Sequence, residues 1–243
     1  MKLKPKFLVV AIFLINVLSF SQERKVGVVT FYADKTIDLS QVDASADFIA
    51  KNTKLSEDPS FNLEAPLKKF HDAFFDSYVK NFPFEVLDED KILNNDTYKE
   101  YVPTYDKNKK DFLESSYESI EGYKIIRQVG STVSDVASMA EELGVDGVMF
   151  VYLKFDFNKT GVGKFGYYSI RAYVEIDLYD KTGKSIFQFN ELAGSRKKAV
   201  MVGGIPVMTP DKIQPMCESA IESLMEDMDK KLERLSKKVD RKF

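Results

Sequence analysis

The chain has 243 residues, 44% of them apolar and 30% charged, with one His, one Cys, no Trp and a formal net charge of −3. This composition excludes disordered, collagen-like and disulfide-dense classes. One His with one Cys also cannot close a Cys/His zinc site or a disulfide, and an acidic balance argues against a nucleic-acid-binding domain, which carries a basic surplus.

Lys2, Lys4 and Lys6 precede an uncharged apolar run from Phe7 to Leu18, and Ser19-Phe20-Ser21 follows as a small-x-small cleavage pattern. Those three parts in that order predict a secretory signal peptide over residues 1–21, since the run is shorter than the roughly 20 residues of a spanning helix. The only cysteine is Cys217, far from the cleavage pattern. The expected product is exported, periplasmic or extracellular, and not lipid-anchored. Losing three lysines and no acid takes the net charge from −3 to −6. Residues 22–243 contain no repeat or linker-like stretch and are expected to form a single α/β domain.

Lys25 to Tyr32 (KVGVVTFY) is an apolar, β-branched run without alternation, as in a strand buried on both faces. The polar stretch from Ala33 to about Asn62 is expected to be surface loop with a short helix. Leu67, Phe70, Phe74, Tyr78 and Phe82 then recur at spacings of three and four, predicting an amphipathic helix from Pro66 that Pro83 ends. Phe84 to Leu87 is the next strand. Helical pieces are expected around 88–100 and 109–120, and Thr132 as the cap of a helix that Gly144 stops. Val145 to Phe157 follows as a strand. Tyr168 to Leu178 alternates strictly between apolar and polar residues, giving one buried and one wet face. Asp180 to Lys184 is a hairpin turn, Ser185 to Ala193 completes a meander, and Thr209 to about Val239 is a long helix.

The predicted fold is therefore α/β with a mixed sheet: a β-α-β start, a helix, an antiparallel three-strand meander, and a long C-terminal helix packed on the sheet. No catalytic constellation accompanies it. Gly161-Val162-Gly163-Lys164-Phe165-Gly166 matches G-x-G-x-x-G, but a strand follows where a phosphate-binding helix N-terminus is required. His71 lies within the aromatic stripe of its helix, which explains it as packing. Asp88-Glu89-Asp90 and Glu141-Glu142 could pair as hydrolytic carboxylates, yet acids favour helix first turns for electrostatic reasons alone. Asp106-x-Asn108 lacks the glycine of a calcium loop. No catalytic residue, metal ligand or cofactor is assigned.

Phe84-Glu85-Val86-Leu87-Asp88-Glu89-Asp90-Lys91-Ile92-Leu93 and Ala140-Glu141-Glu142-Leu143-Gly144-Val145-Asp146-Gly147-Val148 punctuate this order of elements. In that order they resemble a periplasmic α/β domain. It is shared by curli secretion-channel proteins, lipoprotein activators of penicillin-binding proteins, and the amino-terminal domain of the Tol-system propeller protein. The resemblance implies a non-enzymatic envelope module that docks to other proteins. The chain departs from those proteins in its longer Asp88–Tyr123 segment and in lacking a lipid-bearing cysteine.

The expected function is an exported, non-catalytic cell-envelope module that binds or helps assemble envelope proteins. Its binding residues are expected on the wet sheet face (Arg171, Tyr173, Glu175) and on the apolar 199–208 segment (Val202, Ile205, Val207). Arg and Tyr are the types enriched at binding hot spots. The same segment could touch a membrane surface, and Ile221, Met225, Met228, Leu232, Leu235 and Val239 could seat a second copy along the C-terminal helix. The alternatives are a carboxylate-dependent hydrolase of glycans or peptides, and a carrier of an apolar ligand.

Overall fold

The computed structural model describes residues 24–40, 46–82, 84–103, 107–161, 166–201 and 206–240, with side chains left undescribed at 46–48 and 232–240. The predicted signal segment and Pro83 lie outside them. Fourteen residues of β1 (Lys25–Asp38) lead to α1 (Ala46–Glu57) and α2 (Glu64–Ala73). A single π turn (Phe74–Tyr78) and a 3₁₀ turn (Val79–Asn81) prolong α2. Short elements follow: β2 (Glu85–Val86), α3 (Glu89–Leu93), α4 (Asp96–Glu100), α5 (Lys110–Ser116), β3 (Tyr117–Ser119) and α6 (Thr132–Ser138). The meander is β4 (Gly147–Thr160), β5 (Tyr167–Asp180) and β6 (Ser185–Gly194), followed by β7 (Ala199–Val200) and α7 (Pro210–Asp240).

The strands form one mixed sheet of order β2-β1-β4-β5-β6, in which β1 runs parallel to β2 and β4 and the meander is antiparallel. β3 adds to β1 beyond β2, and β7 adds to β5 beyond β6. The first face carries the larger core. Leu67 and Phe70 of α2, Phe74 and Tyr78 of the π turn that prolongs it, and Ile213, Cys217, Ile221 and Leu224 of α7 pack there against Val151, Phe155, Ile170, Val174 and Ile176. On the second face a smaller core forms over the early half of β4, where Ile92, Tyr98, Val136 and Ala137 close over Val29, Val148 and Phe150.

The amphipathic stripe thus does what its spacing predicts, and each fully buried aromatic or aliphatic side chain contributes about 1.5–3 kcal/mol. Residues 33–62 depart from expectation. β1 continues to Asp38 because Ala33 and Ile37 return to the core after Phe31. The intervening register shift is stabilised by Asp34 Oδ1, which accepts from the Thr36 amide at 2.7 Å. The helical piece expected at 109–120 stops at Ser116, where Tyr117–Ser119 instead pair with Tyr32–Asp34. Thr132 is not a cap: it is the first helical residue and buried, and the flanking Ser131 makes no side-chain cap bond. Instead, the Ser131 hydroxyl donates to Asp135 Oδ2 at 3.1 Å.

Val29 forms a bulge between β1 and β4, and the Tyr98 hydroxyl donates to its carbonyl at 2.9 Å. Beside it, Thr30 Oγ1 donates to the Lys124 carbonyl at 2.7 Å and accepts from the Ile126 amide at 3.2 Å. These bonds pin residues 124–126 to β1 and carry the chain onto the second face. At the β5–β6 turn, Gly183 takes φ +79°, and Asp180 Oδ1 accepts from the amides of Thr182 and Lys184 at 2.9 and 3.1 Å.

Gly147 meets a different demand. A Cβ there would lie 2.8 Å from the Tyr179 carbonyl oxygen of the neighbouring strand. Gly147→Ala therefore overpacks a paired backbone, at about 1–3 kcal/mol. Calorimetry should show the variant's Tm lowered by roughly 2–4 °C per kcal/mol; an unchanged Tm would contradict the close approach.

Candidate functional site

The later half of the second face is built by strand register. β4 and β5 pair without a shift from Gly147↔Asp180 to Thr160↔Tyr167, which sets Tyr152 opposite Glu175, Lys154 opposite Tyr173, and Asp156 opposite Arg171. β6 extends those rows with Asn190, Leu192 and Gly194, and β1 adds Tyr32 beside Tyr152. Period-two geometry puts all of them on one side.

Their contacts fix them in place. The rings of Tyr32 and Tyr152 stack at 5.4 Å with 9° between planes, and Tyr117 meets Tyr32 edge-on at 5.3 Å. The Tyr152 hydroxyl donates to Glu175 Oε2, and Lys154 Nζ donates to Glu175 Oε1 at 2.8 Å while lying 4.8 Å from the Tyr152 ring centroid. Arg171 makes a two-pronged contact with Asp156, Nε to Oδ1 at 2.7 Å and Nη2 to Oδ2 at 2.5 Å. The pair is part-buried, and its two parallel bonds hold the guanidinium plane in a fixed orientation.

Protonation follows from burial. Removal from water pushes the Tyr32 and Tyr152 hydroxyls far above the usual tyrosine range, aided at Tyr32 by Tyr117 and at Tyr152 by its bond to Glu175. Tyr179 is pushed up to about 12 by burial and by Asp177 and Glu175. Asp156 holds the Arg171 guanidinium more firmly protonated. Burial also raises Asp34 and Asp177, against the opposing hydrogen bonds of Thr36 and Gln128. These phenols are donors at neutral pH, suited to hydrogen bonding and stacking.

Arg171, Tyr173 and Glu175 are thus brought to one face as expected, but the face is not uniformly wet. The three are partly buried, and they lie between two buried positions of the same side, Ser169 and Asp177. Val207 is placed elsewhere: it is half-buried, and its carbonyl accepts from the Tyr168 hydroxyl at 2.8 Å beside the first-face core. Val202 and Ile205 lie outside the described residues. Sequence reasoning missed the partners Tyr152, Lys154 and Asp156, although β4 alternates from Tyr152 to Asn158 and that alternation was the available signal.

The remaining candidates fall apart in space. Gly161 and Gly166 flank the connection between antiparallel β4 and β5, with no helix following. Asp88, Asp90, Glu141 and Glu142 are exposed, whereas Glu89 receives His71 Nε2 at 2.6 Å. His71 also sits edge-on to Phe31 at 4.9 Å, on the first-face side. Cys217 is fully buried, and burial pushes its thiol up. Among the described residues, no cluster of three or more His, Cys, Asp or Glu could hold a metal ion, and no helix is long and apolar enough to cross a membrane. No protein-family model matches the chain, and no curated protein matches its sequence.

Asp177 provides a pH test. Its folded carboxyl holds a proton more tightly than the ordinary value of 3.8, so the folded state gains at low pH. That gain is lost as pH rises from about 3.8 through the raised value. Asp177→Asn keeps an acceptor for Gln128 Nε2, which donates to Asp177 Oδ2 at 2.7 Å, and removes the buried charge. In paired thermal melts, the variant should gain Tm relative to the parent as pH rises from 3.5 to 7. A constant difference would refute the assignment.

Proposed function

We propose that the chain is an exported, non-catalytic cell-envelope module that holds a partner protein against the later half of the second sheet face. One observation carries this reading. Arg171, Tyr173, Lys154 and Glu175 are partly exposed, yet each strand position is fixed by the β4–β5 register and the charged ends are oriented by mutual contacts. Pre-ordered aromatic and guanidinium groups lose little conformational entropy on association, which is what makes them effective anchors.

Two further features support it. The signal-like residues 1–21 favour export. The segments 84–93 and 140–148 resemble those of envelope docking domains, and that resemblance favours a docking role. The described flanks of the 199–208 segment would then serve the fold more than the partner. Met201 and Met208 pack into the first-face core, and β7 pairs Ala199 and Val200 with Tyr168 and Tyr167.

A photo-crosslinking side chain at Tyr173, in the full chain expressed in its native host, tests the surface. It should give one discrete adduct, reduced at least tenfold by Arg171→Glu. The same group at exposed Lys51 on α1 should not give that adduct. Identical adducts at both positions, or none at Tyr173, would reject this surface.

A further inference from the structure

The two edges of the sheet are finished differently. Along β1, the outer edge is filled at one end by β2, where Glu85 and Leu87 donate to the carbonyls of Arg24 and Val26 at 2.8 and 2.9 Å. At its other end β3 takes Tyr32–Asp34, and the Ile120 amide donates to the Phe31 carbonyl at 3.3 Å. β6 has no such cover among the described residues, being the last strand of the order.

The direction of its free groups follows from the ladder. Ser195 donates to the Ile170 carbonyl at 2.8 Å, so odd-numbered positions back to Phe187 bond β5. The alternation of antiparallel pairs then turns the amides and carbonyls of Gln188, Asn190, Leu192 and Gly194 outward. Two devices that normally blunt an edge are missing from β6, which has no proline and whose single charge, Glu191, is taken by Lys231 of α7 at 2.5 Å; its one register shift lies at the Ser185 end, before Phe187. Phe189 and Ile186 lie partly exposed at the rim of the first-face core.

We infer that β6 pairs antiparallel with β6 of a second copy, about a two-fold axis at Phe189, to make one continuous sheet. In that register Phe189 meets its own counterpart, covering the exposed rim with an aromatic pair, and Gln188 faces Asn190 so that two polar side chains match. Placing the axis at Glu191 would set two like charges directly opposite, which disfavours that slip. A second copy fits better than an arbitrary extended peptide because the strand is complementary to itself and neutralised within its own chain.

Proline at position 190 removes only an outward donor and leaves the β5 ladder intact, since edge strands accept proline where the amide faces solvent. Light scattering across a concentration series should give twice the chain mass for the parent and the single-chain mass for Asn190→Pro, with matching circular dichroism. Asn190→Lys, which keeps the amide, should weaken dimerisation at least tenfold and recover in high salt. Because Cys217 is buried, Phe189→Cys should give an oxidised dimer through the engineered thiol alone. A parent that stays single at every concentration, or a dimer unaffected by both substitutions at 190, would overturn the inference.

Discussion

The uninterrupted fourteen-residue pairing of β4 with β5 is the constraint on which the other features depend. It commits Val151, Leu153, Phe155 and Phe157 and the alternate residues Ile170, Ala172, Val174, Ile176 and Leu178 to a common face, where α2 and α7 find enough apolar surface to pack. The same register brings Tyr152, Lys154 and Asp156 to the opposite side against their three partners. A slip of one residue would exchange the two faces and bury the charges. The core and the candidate surface are therefore two outcomes of one hydrogen-bond ladder, and the apolar side, worth far more energetically, enforces the geometry of the polar one.

Coverage of the second face follows from chain length between elements. The segment from β2 to β4 supplies α3, α4 and α6, which close over Val29, Val148 and Phe150, and their apolar cluster does not extend to the later half of the strands among the described residues. Tyr98 and Thr30 anchor this segment through backbone bonds at the Val29 bulge. The transition from apolar packing to the Tyr32–Tyr152 stack and then to the ion pairs marks where the helices end. On the far side of β1, the His71–Glu89 bond links α2 in one layer to α3 in the other.

The sequence was most legible where one periodicity persisted. The aromatic stripe of α2 and the alternation of β5 specify both element and face, and both hold. Legibility failed where tertiary pairing overrode local composition. Asp34, Thr36 and Asp38 look like a loop until Ala33 and Ile37 are seen to return to the core. Tyr117–Ser119 pair with β1 although nothing local requires it. The candidate surface was half legible: β5 declared Arg171, Tyr173 and Glu175, but β4 begins with an unbroken apolar run that hides its later alternation. Which strands lie side by side, and hence that Asp156 meets Arg171, is a property of register and not of either segment.

The mixed direction of the sheet also has a temporal consequence. The meander and α7 are contiguous in sequence, and their turns are short, so their pairing needs little loop closure. β1 is different: its anchoring contact, the Lys25 amide on Asp146 Oδ2 at 3.0 Å, spans 121 positions. β1 therefore has no central neighbour until the 121 positions that separate it from β4 have been made. Over that interval, among the described strands, only the short β2 and β3 pair with β1, along its outer edge, and its inner edge stays open, a state in which nascent chains are prone to aggregate and in need of a holding factor.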